Sequence, residues 1–217
     1  MRLLLAIGVL LVPHQLYADI FDSAAVLGNG FVAMYESRIV ESTNSPFTVV
    51  LDGGFAGNVF VEGNNTFEIR SGNYTDLDAR DQSLVFSYGG STFGDGVRAY
   101  DHSTITIFDG LFDEDVIAHD GTVNVHGGTF RQGFSASGHG TLNFYGTELL
   151  ATQVGYDDSI QTTEYHLTGR LASGEPFLYG VSVGADASMI LHTVPEPSTA
   201  LLLLIGLPLI WRRNCAA

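Results

Sequence analysis

Between residues 48 and 147 apolar and polar positions recur in one phrase: Thr or Ser, apolar, any, apolar, any, any, Gly. The copies are Thr48-Val49-Val50-Leu51-Asp52-Gly53-Gly54, Thr66-Phe67-Glu68-Ile69-Arg70-Ser71-Gly72, Ser83-Leu84-Val85-Phe86-Ser87-Tyr88-Gly89, Thr104-Ile105-Thr106-Ile107-Phe108-Asp109-Gly110 and Thr122-Val123-Asn124-Val125-His126-Gly127-Gly128. A sixth, Thr141-Leu142-Asn143-Phe144-Tyr145-Gly146-Thr147, places its glycine one position early, and the starts lie 18, 17, 21, 18 and 19 residues apart. Apolar second and fourth positions are the period-two signature of a strand with one buried face. A 3.6-residue helical period is absent, and no helix-based repeat is this short.

Each unit carries a second apolar pair two residues apart: Val59/Val61, Leu77/Ala79, Val97/Ala99, Val116/Ala118, Phe134/Ala136 and Val154/Tyr156. Between the two pairs stands a large apolar residue, in order Phe55, Tyr74, Phe93, Phe112, Phe130 and Leu149. Three short apolar points per repeat, separated by Gly and polar corners, describe one coil of a parallel β-helix. Coils stacked ~4.8 Å apart bury these columns in one core and pair their backbones with each other. A sandwich of hairpins is the competing all-β fold, but it does not demand the same phase in every copy. The expected fold is therefore an all-β, single-stranded parallel β-helix (β-solenoid) of about six coils over residues 48–159, with glycines at corners that need positive φ or close backbone approach.

The phrase breaks after residue 159. Thr163 to Gly169 and Pro176 to Val183 alternate as strands, so 160–193 reads as a C-terminal β cap over the open solenoid end, and 19–47 as the N-terminal cap. Ahead of these, Arg2 is the only charge before Asp19, and Leu3 to Val12 is apolar apart from Gly8; residues 1–18 read as a signal peptide cut after Ala18 by signal peptidase.

Charge narrows the function. All nine basic residues are Arg, and the formal net charge is −15. Without Arg2, Arg212 and Arg213 the remaining six Arg face all 24 acids, a net of −18. Such a balance argues against nucleic acid and anionic membrane as partners. The single cysteine, Cys215, lies near the C-terminus, which leaves the body without a disulfide framework or a Cys-based zinc site.

The chain ends on Val194-Pro195-Glu196-Pro197, an apolar run from Leu201 to Trp211 broken by Pro208, and the pair Arg212-Arg213. This order over 194–217 resembles the PEP-CTERM sorting signal of bacterial exported proteins. The resemblance implies transient anchoring in the inner membrane, recognition by the transpeptidase exosortase, removal of the tail, and delivery to the cell envelope or extracellular matrix. Residues 48–157 are similar, more loosely, to the glycine-rich β-solenoids that often carry this signal. Structural, adhesive or exopolysaccharide-associated work is then the expected role.

Candidate chemistry is sparse. Asn64, Asp81, His102, Asp120 and His139 recur near the end of successive units, and in-register coils would stack His102, Asp120 and His139 about 5 Å apart, close enough to share a divalent metal. The turn itself favours Asn, Asp and His, and the sequence supports that role over a metal site. Asp76/Asp78/Asp81, Asp109/Asp113/Glu114/Asp115 and Asp157/Asp158 form acidic clusters, with Arg38, Arg70, Arg80, Arg98, Arg131 and Arg170 as the available cations. Polysaccharide lyases and hydrolases built on β-helices use such groups, so a small carbohydrate-active enzyme is the alternative. Only the unit from Ser83 to Ser103 is lengthened, too little to wall a cleft. No catalytic residue, cofactor or metal ligand is therefore assigned, and the expectation is a protein that is not an enzyme.

Overall fold

The computed structural model describes residues 19–21, 25–29, 31–33, 36–40 and 46–195. The segment read as a signal peptide and most of the segment that resembles a sorting signal, including Glu196, Pro197, Arg212 and Arg213, lie outside the described residues; Val194 and Pro195 lie within them. Among those residues every regular element is a strand. The chain winds as a parallel β-solenoid of about six turns.

The first face stacks the repeated phrase in register: Ala25 beside Val49, Thr48 beside Thr66, Thr104 beside Thr122, Thr122 beside Thr141, and Thr141 beside Ser188. The third face stacks Val59 on Leu77, Leu77 on Val97, Val97 on Val116 and Val116 on Phe134, the sequence-expected pairs. Between them a short second face carries Ala56, Tyr74, Thr92, Phe112 and Phe130 inward, all buried. Inward positions from the three faces form one continuous apolar core from Leu27 to Val183.

Three particulars differ from the sequence expectation. In the third copy the strand starts at Leu84, not Ser83, because Thr66 pairs with Leu84 and Leu84 with Thr104. Ser83 is a fully buried corner residue whose Oγ accepts the Arg80 N–H, while Val85 and Ser87 take the inward places and Leu84 faces out. Buried Ser87 is tolerated because its hydroxyl donates to the carbonyls of Asp109 and Gly89, at 3.0 and 3.2 Å. On the second face Ala56 and Thr92, not Phe55 and Phe93, point inward; Phe93 is exposed, and Thr92 Oγ1 accepts the Asp113 N–H. Finally, Val154 and Tyr156 are exposed, and Val181 and Val183 occupy the third-face places assigned to them.

The last point reshapes the C-terminal region. After Gly146 the strand Thr141–Asp157 leaves the coil path and runs antiparallel to Thr162–Leu171, which in turn pairs antiparallel with Pro176–Gly184. The end of Pro176–Gly184 returns to the solenoid beside Phe134–Ser137, and Ser188–Thr193 closes the first face. A three-stranded antiparallel wing is thus inserted in the final coil. At the other end, Ala25–Gly28 and Glu36–Ile39, within the segment read as an N-terminal cap, already pair in the parallel registers of a coil.

Glycine is required where the first face turns into the second. Gly72 has φ +101°, and a Cβ there would stand 2.8 Å from the Gly53 carbonyl oxygen of the preceding coil. No L side chain fits this corner without backbone movement.

Candidate functional site

At the corner between the third and first faces the backbone enters the left-handed region at Asp81, Asp101 and Asp120 (φ 58°, 55° and 61°), with Gly63 and Gly138 at the ends of the same track. Asp is among the few non-glycine residues that adopt this conformation readily. Each carboxylate also caps a neighbouring coil. Asp81 Oδ2 accepts the Gly63 N–H at 2.9 Å and Asp101 Oδ2 accepts the Asp81 N–H at 3.4 Å. Asp120 reaches the opposite way, its Oδ1 accepting the His139 N–H at 2.7 Å.

The reversal at Asp120 leaves a shallow depression lined by Asp101, His102, Asp120, Thr122 and His139. His139 Nδ1 lies 3.2 Å from Asp120 Oδ1, and His119 Nε2 lies 3.6 Å from Asp120 Oδ2 while its Nδ1 meets Ser137 Oγ at 2.8 Å. The His139 backbone N–H and imidazole hold the Asp120 carboxyl below the usual carboxylate range. Of the expected column, His102, Asp120 and His139 do come together; Asn64 and Asp81 lie further along the corner, and the left-handed position in the third coil belongs to Asp101 rather than His102. Among the described residues no group of three or more His, Cys, Asp or Glu is arranged to hold a metal ion.

The acidic clusters are taken up by local caps and by bonds to the neighbouring coil instead of converging on one site. Asp78 bridges Arg80 and Arg98 at 3.1 and 3.2 Å. Buried Asp76 accepts the Asp95 N–H, and burial raises its carboxyl above the ordinary range. Asp109 caps Gly110, Asp113 pairs with Arg131 at 3.2 Å, and Asp115 Oδ1 accepts the Gly133 N–H at 3.1 Å. Asp157 turns back on Ser159, whose hydroxyl and N–H hold it below its usual range. Arg70 pairs with Glu68, Arg170 donates to the Gly174 carbonyl, and Arg38 pairs with Glu36.

Two outward ladders escaped the sequence reading. On the first face Tyr88, Phe108, His126, Tyr145 and His192 stack ring on ring, with successive centroids 5.1, 5.0, 4.0 and 4.4 Å apart. Beside them Asn143 donates to Asn124 at 2.9 Å and Asn124 to Thr106 at 3.2 Å, while His192 Nε2 meets Asn143 Oδ1 at 3.1 Å. The signal was present from the third copy on: an aromatic or His stands four residues after Leu84, Thr104, Thr122, Thr141 and Ser188, whereas Asp52 and Arg70 hold that place in the first two copies. On the third face Arg80 lies over both Phe60 and Tyr100, at 5.4 and 5.5 Å, and Arg38 covers the Phe60 ring from the preceding coil. Most of these contacts join one coil to the next, so they brace the solenoid along its axis and leave ring edges facing outward. In comparisons with family models, curated proteins and solved structures, nothing matches the chain.

Proposed function

We propose that this protein is an exported β-solenoid scaffold of the cell envelope or extracellular matrix, with a structural, adhesive or polysaccharide-associated role, released from its membrane-anchored form by exosortase. The observation that supports a scaffold is the axial bracing: charged, amide and aromatic side chains on the outer faces join neighbouring coils, as in the Tyr88-to-His192 ladder and the pairing of Asp78 with Arg98. The strongly acidic balance of the chain, a net of −18 without Arg2, Arg212 and Arg213, suits such a rod to remaining dispersed in a hydrated matrix. Export and processing rest on the resemblance of Val194, Pro195, Glu196, Pro197, Arg212 and Arg213 with the intervening apolar run to the sorting signal.

Intact-mass measurement of the protein recovered from its native exporting cells tests the reading. The expected species begins after residue 18 and lacks Leu201 to Ala217. Recovery of a chain that retains Trp211 and Arg213 would overturn the sorting role.

A further inference from the structure

The outward side of the first face changes character along the rod. In the first two copies of the phrase it carries Asp52, Glu68 and Arg70. From Leu84 to His192, across five stacked strands, the outward first, third and fifth positions hold no Asp, Glu or Arg. Acid borders this stretch, with Asp101 and Asp120 at one corner and Asp109 at the other. On a chain whose net is −18 without Arg2, Arg212 and Arg213, the result is an uncharged strip between acidic margins.

The strip is laid out in columns that run along the axis. Thr104, Thr122 and Thr141 stand in register in one, and Thr106, Asn124 and Asn143 in the next. The Tyr88-to-His192 ladder is the third; its rings stack face to face, so it presents ring edges, the tyrosine hydroxyls and imidazole nitrogens outward. A side-chain amide has two N–H donors and an oxygen with two acceptor positions. The bonds from Asn143 to Asn124, from Asn124 to Thr106 and between His192 and Asn143 occupy one donor and one acceptor position of each Asn. Each amide keeps one N–H and one lone pair, on a side chain whose orientation the ladder already fixes.

We infer that this strip binds an extended, uncharged β-1,4-linked glycan lying along the solenoid axis. The inference rests on the polysaccharide-associated role proposed above and names its ligand. Three observations select this occupant. Charge is the first: the acidic margins repel polyanions such as acidic glycans, whereas an uncharged chain meets no such penalty. Hydrogen-bonding capacity is the second, because a polyol both donates and accepts, matching the hydroxyls and the half-used amides. The third is spacing: the pyranose rings of such a chain follow one another at close to the coil spacing of ~4.8 Å, so successive sugars meet the same hydroxyl, amide and ring-edge set. Exposed Leu84 and Ile190 add apolar contact at the two ends of the strip. Side chains already held by the ladder also lose little freedom on binding.

Co-sedimentation of the full chain with insoluble cellulose, and calorimetric titration with cellohexaose, test the assignment. Cellulose is expected to deplete the chain from solution with little dependence on salt. Asn124→Ala with Asn143→Ala should weaken binding about tenfold, the loss expected for two neutral hydrogen bonds. Thr122→Arg, which obstructs the strip and spares the amide and ring ladders, should abolish capture at an unchanged melting temperature. Glu68→Ala with Arg70→Ala, on the same face but outside the strip, should bind as the parent does. Absence of capture overturns the assignment, and an intact mass lacking Leu201 to Ala217 would still uphold the exported scaffold. Capture that survives both the Asn pair and Thr122→Arg places the glycan elsewhere and overturns it too. So does capture of carboxymethylcellulose equal to that of cellulose at low salt, since charge would then not select the ligand. A dimer that Thr122→Arg dissociates would make a second copy the occupant, and would overturn it as well.

Discussion

The solenoid body and the wing inserted in its last coil are both built from alternating strands, yet they solve the edge problem in opposite ways. In the body each strand finds its partners one coil above and one coil below, so a single phase, repeated, satisfies the backbone of every interior coil. The wing turns back on itself; Leu150 lies beside Thr168, and Thr168 beside Leu178, with the pairing ending at a free strand. Parallel stacking leaves open edges only at the ends of the rod. A hairpin excursion adds one on the flank. Backbone pairing on both sides and an unpaired flank are thus divided between two parts of one chain.

The sharpest way to break the comparison is to place a charge in each part. Ile107 and Val125 are neighbours in one inward column, both fully buried. Ile107→Asp should cost several kcal/mol, because the carboxylate has no partner there. Val154→Asp, at an exposed position of the wing, should leave the melting temperature within a degree or two. Thermal denaturation of both variants measures the contrast; equal losses would refute the inward register of the body.

A smaller contrast comes from glycine. Gly72→Ala forces a side chain into φ +101° and against the Gly53 carbonyl, and should destabilise by about 1–3 kcal/mol. Gly180, in the wing, has open space around its Cβ position and no positive φ. Gly180→Ala should be neutral, or stabilising by up to about 1 kcal/mol through a stiffer unfolded chain. Urea titration of the pair resolves this difference, and a neutral Gly72→Ala would show that the corner relaxes.

The smallest expected effect is a pH slope confined to the body. Burial, followed by the charge of His192, holds the His126 imidazole below its ordinary value of 6.5. The folded chain then binds fewer protons at this site than the unfolded one, so its contribution is present above about pH 6.5 and is lost as pH falls through the lowered folded value. His126→Phe, which keeps a ring in the ladder, should flatten the fall of melting temperature across that window. An unchanged slope would assign the effect to other groups.

Legibility followed periodicity. The pairs Val59/Val61, Leu77/Ala79, Val97/Ala99, Val116/Ala118 and Phe134/Ala136 could be read directly, because alternation marks which side of a strand is dry. Ser83 could not be told from a first-position Thr: both are small hydroxyl residues, and only the pairing of Leu84 with Thr66 and Thr104 shows that Ser83 belongs to the corner. At the candidate site His102, Asp120 and His139 were placed near one another from spacing alone. The role of Asp101 and the involvement of His119 were not, since both depend on which turn residue adopts the left-handed conformation.

By itself the sequence determined the all-β class, the parallel coil, the glycine corners and the acidic surface, because each follows from a local preference repeated at a fixed interval. Tertiary structure decided which polar residues could be buried. Ser87 and Thr92 enter the core because neighbouring backbone groups complete their hydrogen bonds, while the larger Phe93 is left outside. It also decided that Val154 and Tyr156 give up the last inward column to Val181 and Val183. Alternation says that a strand has a dry side, but which strand occupies the place depends on a partner 27 residues further along the chain from each, and no local pattern carries that distance.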